Sequence, residues 1–153
     1  LEEGSDCRGC ALGRCARLGR YREGQVGQPL AFAAVGLGAA CGAWLRWGLS
    51  VWLAGAHGKL PLGTLVTNLG GGYLIGLLMG VFASMPQLSP EWRLFAITGF
   101  LGGLTTFSTF SGEAMVLLQR GDYGLAAAHS ALHLGGSIAC CIAGFATWRV
   151  LST

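Results

Sequence analysis

Beyond Pro29 the chain alternates between long apolar stretches and short polar interruptions. Four stretches reach the ~20 mostly apolar residues that a helix needs to cross a bilayer. They are Leu30–Gly55, Leu62–Ser84, Trp92–Gln119 and Gly124–Leu151. The interruptions Ala56–Pro61, Met85–Glu91 and Arg120–Tyr123 hold Pro61, Pro86, Pro90, Lys59 and Asp122, and they read as water-facing turns. No stretch carries a polar stripe wide enough for a soluble bundle. The pattern therefore predicts an all-α integral membrane protein, with four transmembrane helices in one domain, residues 30–153.

Composition sharpens this picture. Charged residues make up 11% of the chain and apolar residues 52%, whereas a soluble domain is about 25% charged. A disordered chain needs the opposite balance. The 27 glycines show no three-residue period, which excludes a collagen helix. Ten basic against seven acidic residues leave too weak an electrostatic footprint for a nucleic-acid partner. Nine of the seventeen charges fall in residues 1–29, together with Cys7, Cys10 and Cys15. That segment lacks the apolar run of a signal peptide, and the chain opens on Leu1 rather than Met. It is expected to be a flexible extension outside the fold, disordered or foreign to the working protein. Three cysteines with no His before His57 fall short of the four ligands, usually in two pairs, that zinc takes. Cys41, Cys140 and Cys141 lie in apolar segments and read as small buried hydrophobes.

Basic residues at span ends set orientation. Outside the extension they balance, with Arg93 and Arg149 on one side of the membrane and Lys59 and Arg120 on the other. Such a chain is expected to insert both ways. The five arginines of the extension pull against this by favouring a cytoplasmic N-terminus. Helices in lipid rely on close backbone approach. Gly72, Gly76 and Gly80 lay a smooth strip along the second span, and Gly38 with Gly42, and Gly99 with Gly103, do so on the first and third. The strips predict tight helix contacts without saying which helices meet.

Polar groups within a span are expensive and mark pathways or partners. Asn68 lies about two turns into the second span, one turn after Thr64 and beside Thr67. Its amide suits either an anion or a bridge to a neighbouring helix. In the third span, Gly102-Gly103 followed by Thr105-Thr106 is poor helix-forming chemistry at mid-membrane depth. A break is expected there, tolerable where its freed carbonyls line a cavity or bind a cation such as Na+. Phe107 and Phe110 share one face; they either pack or turn their partially positive ring edges to an anion path. Glu113 lies about 9 Å from the span end, suited to a wet vestibule or to carrying a proton. Arg46 is placed to snorkel or to draw anions into a vestibule. His129, His133 and Ser137 recur at four-residue steps on one face of the fourth span. A His pair so spaced can hold a metal, but no carboxylate or Cys shares that face, which favours a polar track or packing. No HExxH, P-loop or GxSxG run occurs, and no enzyme is expected.

Three passages resemble the CrcB/Fluc fluoride channel family over about residues 30–150: Gly-Phe-Leu-Gly-Gly-Leu-Thr-Thr-Phe-Ser-Thr-Phe-Ser at 99–111, the Asn68 segment from Pro61 to Gly72, and Gly-Ala-Trp-Leu-Arg at 42–46. The resemblance implies a fluoride-selective channel of the cell inner (plasma) membrane, multi-pass, that exports fluoride passively from the cytoplasm. It implies an antiparallel, dual-topology homodimer of four-helix subunits with a broken third helix, two pores lined by both subunits and a central structural Na+. By the same resemblance Asn68 donates to fluoride and Phe107 and Phe110 line the pore. Thr64, Glu113 and Ser137 belong to a polar track flanking it, and Arg46 sits at a vestibule. Main-chain carbonyls of Gly102 and Thr105 from both subunits hold the Na+. At positions 129 and 133 the chain departs from the family pattern by carrying His, where many members have Tyr or hydroxyl residues. No organic cofactor is implied, and the partners are fluoride, membrane lipid and a second copy. Glu113 also suits a small dual-topology proton-coupled multidrug or cation exporter. Those proteins place their carboxylate in the first span, however, where this chain has Arg46. A subunit that only assembles, without transport, would use the glycine strips alone.

Overall fold

The structure, a computed structural model, describes residues 27–53 and 62–152. Four helical stretches among them are long and apolar enough to cross a membrane: Gln28–Leu53, Leu62–Ser84, Pro90–Gln119 and Tyr123–Leu151. The described residues contain no strand. The chain is a multi-pass membrane protein. Helices α1 (Gln28–Leu53) and α2 (Leu62–Ser84) are uninterrupted. The third span consists of α3 (Pro90–Arg93), a π-helical stretch Leu94–Leu101, α4 (Gly102–Leu104) and α5 (Phe107–Gln119). Helix α6 (Tyr123–Leu151) forms the fourth span. The connection Ala56–Pro61 and the cysteines Cys7, Cys10 and Cys15 lie outside the described residues.

Burial runs opposite to that of a water-soluble protein. Trp44, Trp47, Trp52 and Phe32 face outward, while Thr64, Thr67, His129 and His133 are buried. Lipid removes the hydrophobic drive for helix association, so large apolar side chains face lipid and small or hydrogen-bonded residues fill the contacts. Cys41 is exposed and Cys140 and Cys141 are half-buried. They are therefore not the buried hydrophobes that their apolar surroundings suggest, because in lipid an apolar side chain gains little by turning inward.

The glycine strips choose the neighbours. Gly72 and Gly76 of α2 abut the backbone of Ser137 and Cys141 on α6, and Gly144 of α6 abuts Tyr73 and Leu77 in return. Gly38 and Gly42 of α1 meet Phe95, Gly99, Phe100 and Leu104, while Gly99 and Gly103 meet Val35, Gly38 and Ala39. Two tight pairs result, α2 with α6 and α1 with the first half of the third span. Tyr73 Oη donates to Thr147 Oγ1 at 3.2 Å and Trp148 Nε1 to Ser84 Oγ at 2.9 Å, adding polar ties to the first pair. A Cβ at position 76 would overlap the Cys141 carbonyl oxygen, which is backbone and cannot swing aside. Gly76→Ala is expected to destabilise the subunit by about 1–3 kcal/mol. Thermal unfolding in detergent checks this, and an unchanged midpoint counts against the contact.

The turns are chemically specified. Arg93 Nη2 donates to the Phe82 carbonyl at 2.8 Å, with its guanidinium 5.1 Å from the Phe82 ring centroid. It thereby closes the C-terminal end of α2. After α5, Gly121 adopts φ +78°. Its N–H donates to Leu118 O and that of Asp122 to Leu117 O, both at 3.0 Å, the pairing of a Schellman cap. In the middle of the third span, Gly102 and Gly103 are themselves helical. The extended residues are Thr105 (φ −85°, ψ 154°) and Thr106 (φ −149°, ψ 116°). β-Branching favours that conformation, while Gly103 contributes its bare backbone to the contact with Ala39.

Candidate functional site

One side chain holds the two extended threonines. Asn68 Oδ1 accepts the Thr106 N–H at 2.8 Å, and Asn68 Nδ2 donates to the Thr106 carbonyl at 3.1 Å. A backbone N–H only donates, so this pairing assigns the amide's orientation. In a continuous helix the Thr106 N–H would satisfy the Gly102 carbonyl. Here it turns to Asn68 and leaves that carbonyl without its helical donor. The neighbouring Gly103 carbonyl accepts from Arg46 Nε at 3.1 Å. Thr106 Oγ1 accepts the Thr109 N–H at 3.2 Å and so caps α5.

A polar track leaves Asn68 along α6. Asn68 Nδ2 stands 3.0 Å from His133 Nδ1. One amide hydrogen goes to Thr106 and the other to His133, which makes His133 Nδ1 an acceptor and puts the proton of the neutral ring on Nε2. The His133 and His129 rings lie 4.4 Å apart. His129 Nε2 is 3.5 Å from Glu113 Oε2, and Glu113 Oε1 accepts from Thr64 Oγ1. Ser137 Oγ donates to the Asn68 carbonyl at 3.4 Å. Phe110 stacks on His133 at 4.8 Å and 29°, lies 5.4 Å from His129, and tilts against Phe107 at 5.4 Å and 59°.

Beside this track opens a cavity of ≈ 540 Å³. Asn68, Thr106, Phe107, Phe110, His133 and Ser137 line it, as do Gly102 and Thr105. Phe107 is 79% exposed, so the chain leaves one wall of the cavity open.

Comparison with known proteins places this arrangement. The profile of the CrcB-like, camphor resistance (CrcB) proteins matches residues 33–145. The chain belongs to the CrcB family. Its relatives include a "fluoride-specific ion channel FluC" of Cupriavidus pinatubonensis, 61% identical over 124 residues, 81% of this chain and 98% of that protein. Proteins of the same name from Ralstonia pickettii and Pseudomonas putida are each 54% identical, over 80% and 78% of this chain and 98% and 94% of their own lengths. These relatives are named as channels, a non-enzymatic class.

In this CrcB protein Thr64, Asn68, Phe107, Phe110, Glu113 and Ser137 meet in one place, although they come from three helices. Arg46 stands apart from the track, on the Gly103 carbonyl. The His pair, lacking a carboxylate on its own face, receives one from α5. The available signal is depth. The Arg120–Tyr123 turn is short, and Glu113 and His129 are nearly equidistant from it, so an antiparallel hairpin brings them level. No comparable signal marks Thr106 as the partner of Asn68, because that contact depends on how the third span packs on α2.

Proposed function

We propose that the chain is the subunit of a fluoride-selective channel that lets fluoride leave the cytoplasm passively, and that it works as an antiparallel, dual-topology homodimer with two pores. The observation that carries this is the Asn68 site: an oriented amide beside phenylalanine rings in an open cavity, in a chain whose relatives are named fluoride-specific channels. Fluoride is small and strongly hydrated, so a pore must replace its water with donors. The Asn68 amide, the ring edges of Phe107 and Phe110 and the positive end of α5 are such donors, and the Ser137 hydroxyl becomes one by turning its hydrogen from the Asn68 carbonyl. Both Asn68 hydrogens are engaged here, so fluoride takes the acceptor place of His133 Nδ1. Conduction needs binding weak enough to release the ion, and neutral donors provide this where a fixed ammonium or guanidinium would trap it. Hydrogen fluoride enters a cell and dissociates inside, so passive flow of the anion lowers internal fluoride.

The exposed Phe107 and the open cavity wall leave room for a second copy, and two such cavities make two pores. The freed Gly102 carbonyl and that of Thr105 are hard oxygen donors that fit Na+. Two carbonyls make half a site, which a second subunit completes. When bound, the ion supplies positive charge that holds the two broken helices together. The experiment is fluoride efflux from liposomes loaded with purified protein, read with a fluoride electrode, with Na+ present or replaced by a large organic cation. Rapid efflux of fluoride, none of chloride, and at least about a tenfold loss, equivalent to 1.4 kcal/mol, without Na+ are expected. Absence of fluoride flux counts against the channel, and undiminished flux without Na+ counts against the sodium site. A proton-coupled, drug-dependent current revives the exporter.

A further inference from the structure

We propose that Glu113, His129 and His133 form a binding site for one divalent transition-metal ion of the zinc class, set in the wall of the ion pathway. One ligand atom of each residue lies within 4.8 Å of those of the other two. Among the described residues, the buried side-chain nitrogen and oxygen atoms without a hydrogen-bond partner are Glu113 Oε2, His129 Nε2 and His133 Nε2. The histidines are 2% and 5% exposed, so bulk water does not reach them, and an unsatisfied buried polar atom costs about 1–3 kcal/mol. Ligands about 2.0–2.2 Å from a tetrahedral ion stand about 3.4 Å from each other, and Glu113 Oε2 and His129 Nε2 are 3.5 Å apart.

The chemistry selects the ion. Two imidazoles and one carboxylate suit zinc-like metals, whereas calcium and magnesium take oxygen shells. The surroundings fix the ligands. Thr64 holds Glu113 Oε1, which directs the other oxygen inward, and Phe110 packs against both imidazoles. Such outer contacts are a regular part of metal sites. Three protein ligands leave a fourth position open.

Occupancy has a consequence for Asn68. A metal on His133 Nε2 moves the proton of the neutral ring to Nδ1, where it faces the Asn68 Nδ2 donor at 3.0 Å. The amide cannot turn over, because Oδ1 holds the Thr106 N–H. Metal binding and the Asn68–His133 contact therefore exclude each other. The bound ion also puts a fixed double charge with an open coordination position beside the path, which retains an anion rather than passing it. Metal is thus an inhibitor of conduction. This effect rests on the channel reading; the binding site does not.

The test uses the full chain without a histidine tag, in detergent, with Cys7→Ser, Cys10→Ser and Cys15→Ser so that no thiolate in that segment competes. Co2+ is expected to bind at one ion per chain, with the intense visible bands of a four-coordinate ion, and Zn2+ to displace it. X-ray absorption of the zinc-loaded protein is expected to count two imidazoles. His129→Ala and His133→Gln are each expected to weaken binding at least about tenfold, with an unchanged size-exclusion profile. In liposomes, Zn2+ is expected to slow fluoride efflux at least about tenfold and to lose that effect in His129→Ala. Absence of the cobalt bands, binding that survives loss of both histidines, or sulfur in the zinc shell overturns the site. Metal binding without any fluoride flux upholds the site and removes the channel reading, and flux without metal binding does the reverse.

Discussion

Exchanging Phe110 for isoleucine is expected to slow fluoride efflux about tenfold or more, a barrier increase of at least about 1.4 kcal/mol, with an unchanged size-exclusion profile. The ring gives one face to His133, at 4.8 Å and 29°. The ring also lines the cavity, and its rim hydrogens carry partial positive charge. Isoleucine supplies apolar bulk but no such rim, so an anion that has shed water finds nothing to replace it. The substitution also removes the stacking that sets the imidazole beside Asn68. Efflux from liposomes measures the first effect and size exclusion monitors the assembly. Throughput equal to that of the parent protein refutes a role for the ring in the pathway.

Asn68→Asp is expected to lose more, about a hundredfold or beyond. Aspartate keeps an oxygen for the Thr106 N–H, the 2.8 Å bond that holds the extended threonines. It replaces both N–H donors with a carboxylate oxygen and sets a negative charge on the proposed anion route. Two unit charges about 4 Å apart repel by about 4 kcal/mol at an effective dielectric of 20, more than the ~2.7 kcal/mol that a hundredfold requires. Asn68→Ala separates the two contributions. It abandons the Thr106 N–H as well, so it is expected to lower thermal stability by about 1 kcal/mol, in the range of hydrogen bonds between membrane helices. Fluoride efflux and thermal unfolding, run on both variants, check the pair. An aspartate variant that conducts like the parent would falsify the donor role of Asn68.

Much of the fold is legible in hydropathy alone. The second span, Leu62–Ser84, has the same limits in sequence and structure, since its ends are the ends of one apolar run. Prolines account for two displaced boundaries. Pro90, which reads as a turn residue, lies in the first turn of α3 after Ser89, and Pro29 likewise falls within α1. Proline needs no hydrogen-bond partner there and its φ suits a helix start. At the candidate site, Asn68, Glu113 and the phenylalanines stand out because lipid makes each polar group conspicuous. Their connections do not stand out. Glycine spacing announces a smooth face but not the surface that meets it, and the Gly102-Gly103 pair points to the right turn of the third span while the extended residues are the threonines after it. Arg46 shows the same limit. A lone arginine in a span invites a vestibule role, and the structure adds a donor contact to the Gly103 carbonyl, which depends on how α1 and the third span cross.

The pairing of the helices also bears on how the chain is assembled during synthesis. The close partner of α1 lies in the third span and that of α2 is α6, so neither of the first two helices meets its mate when it leaves the ribosome. Domains generally fold from the N-terminus as synthesis proceeds, but here the two seams interleave, and the glycine strip of α2 has its partner surface only on α6. The seam between α2 and α6 therefore cannot close before the fourth span is made, however early the first two enter the bilayer.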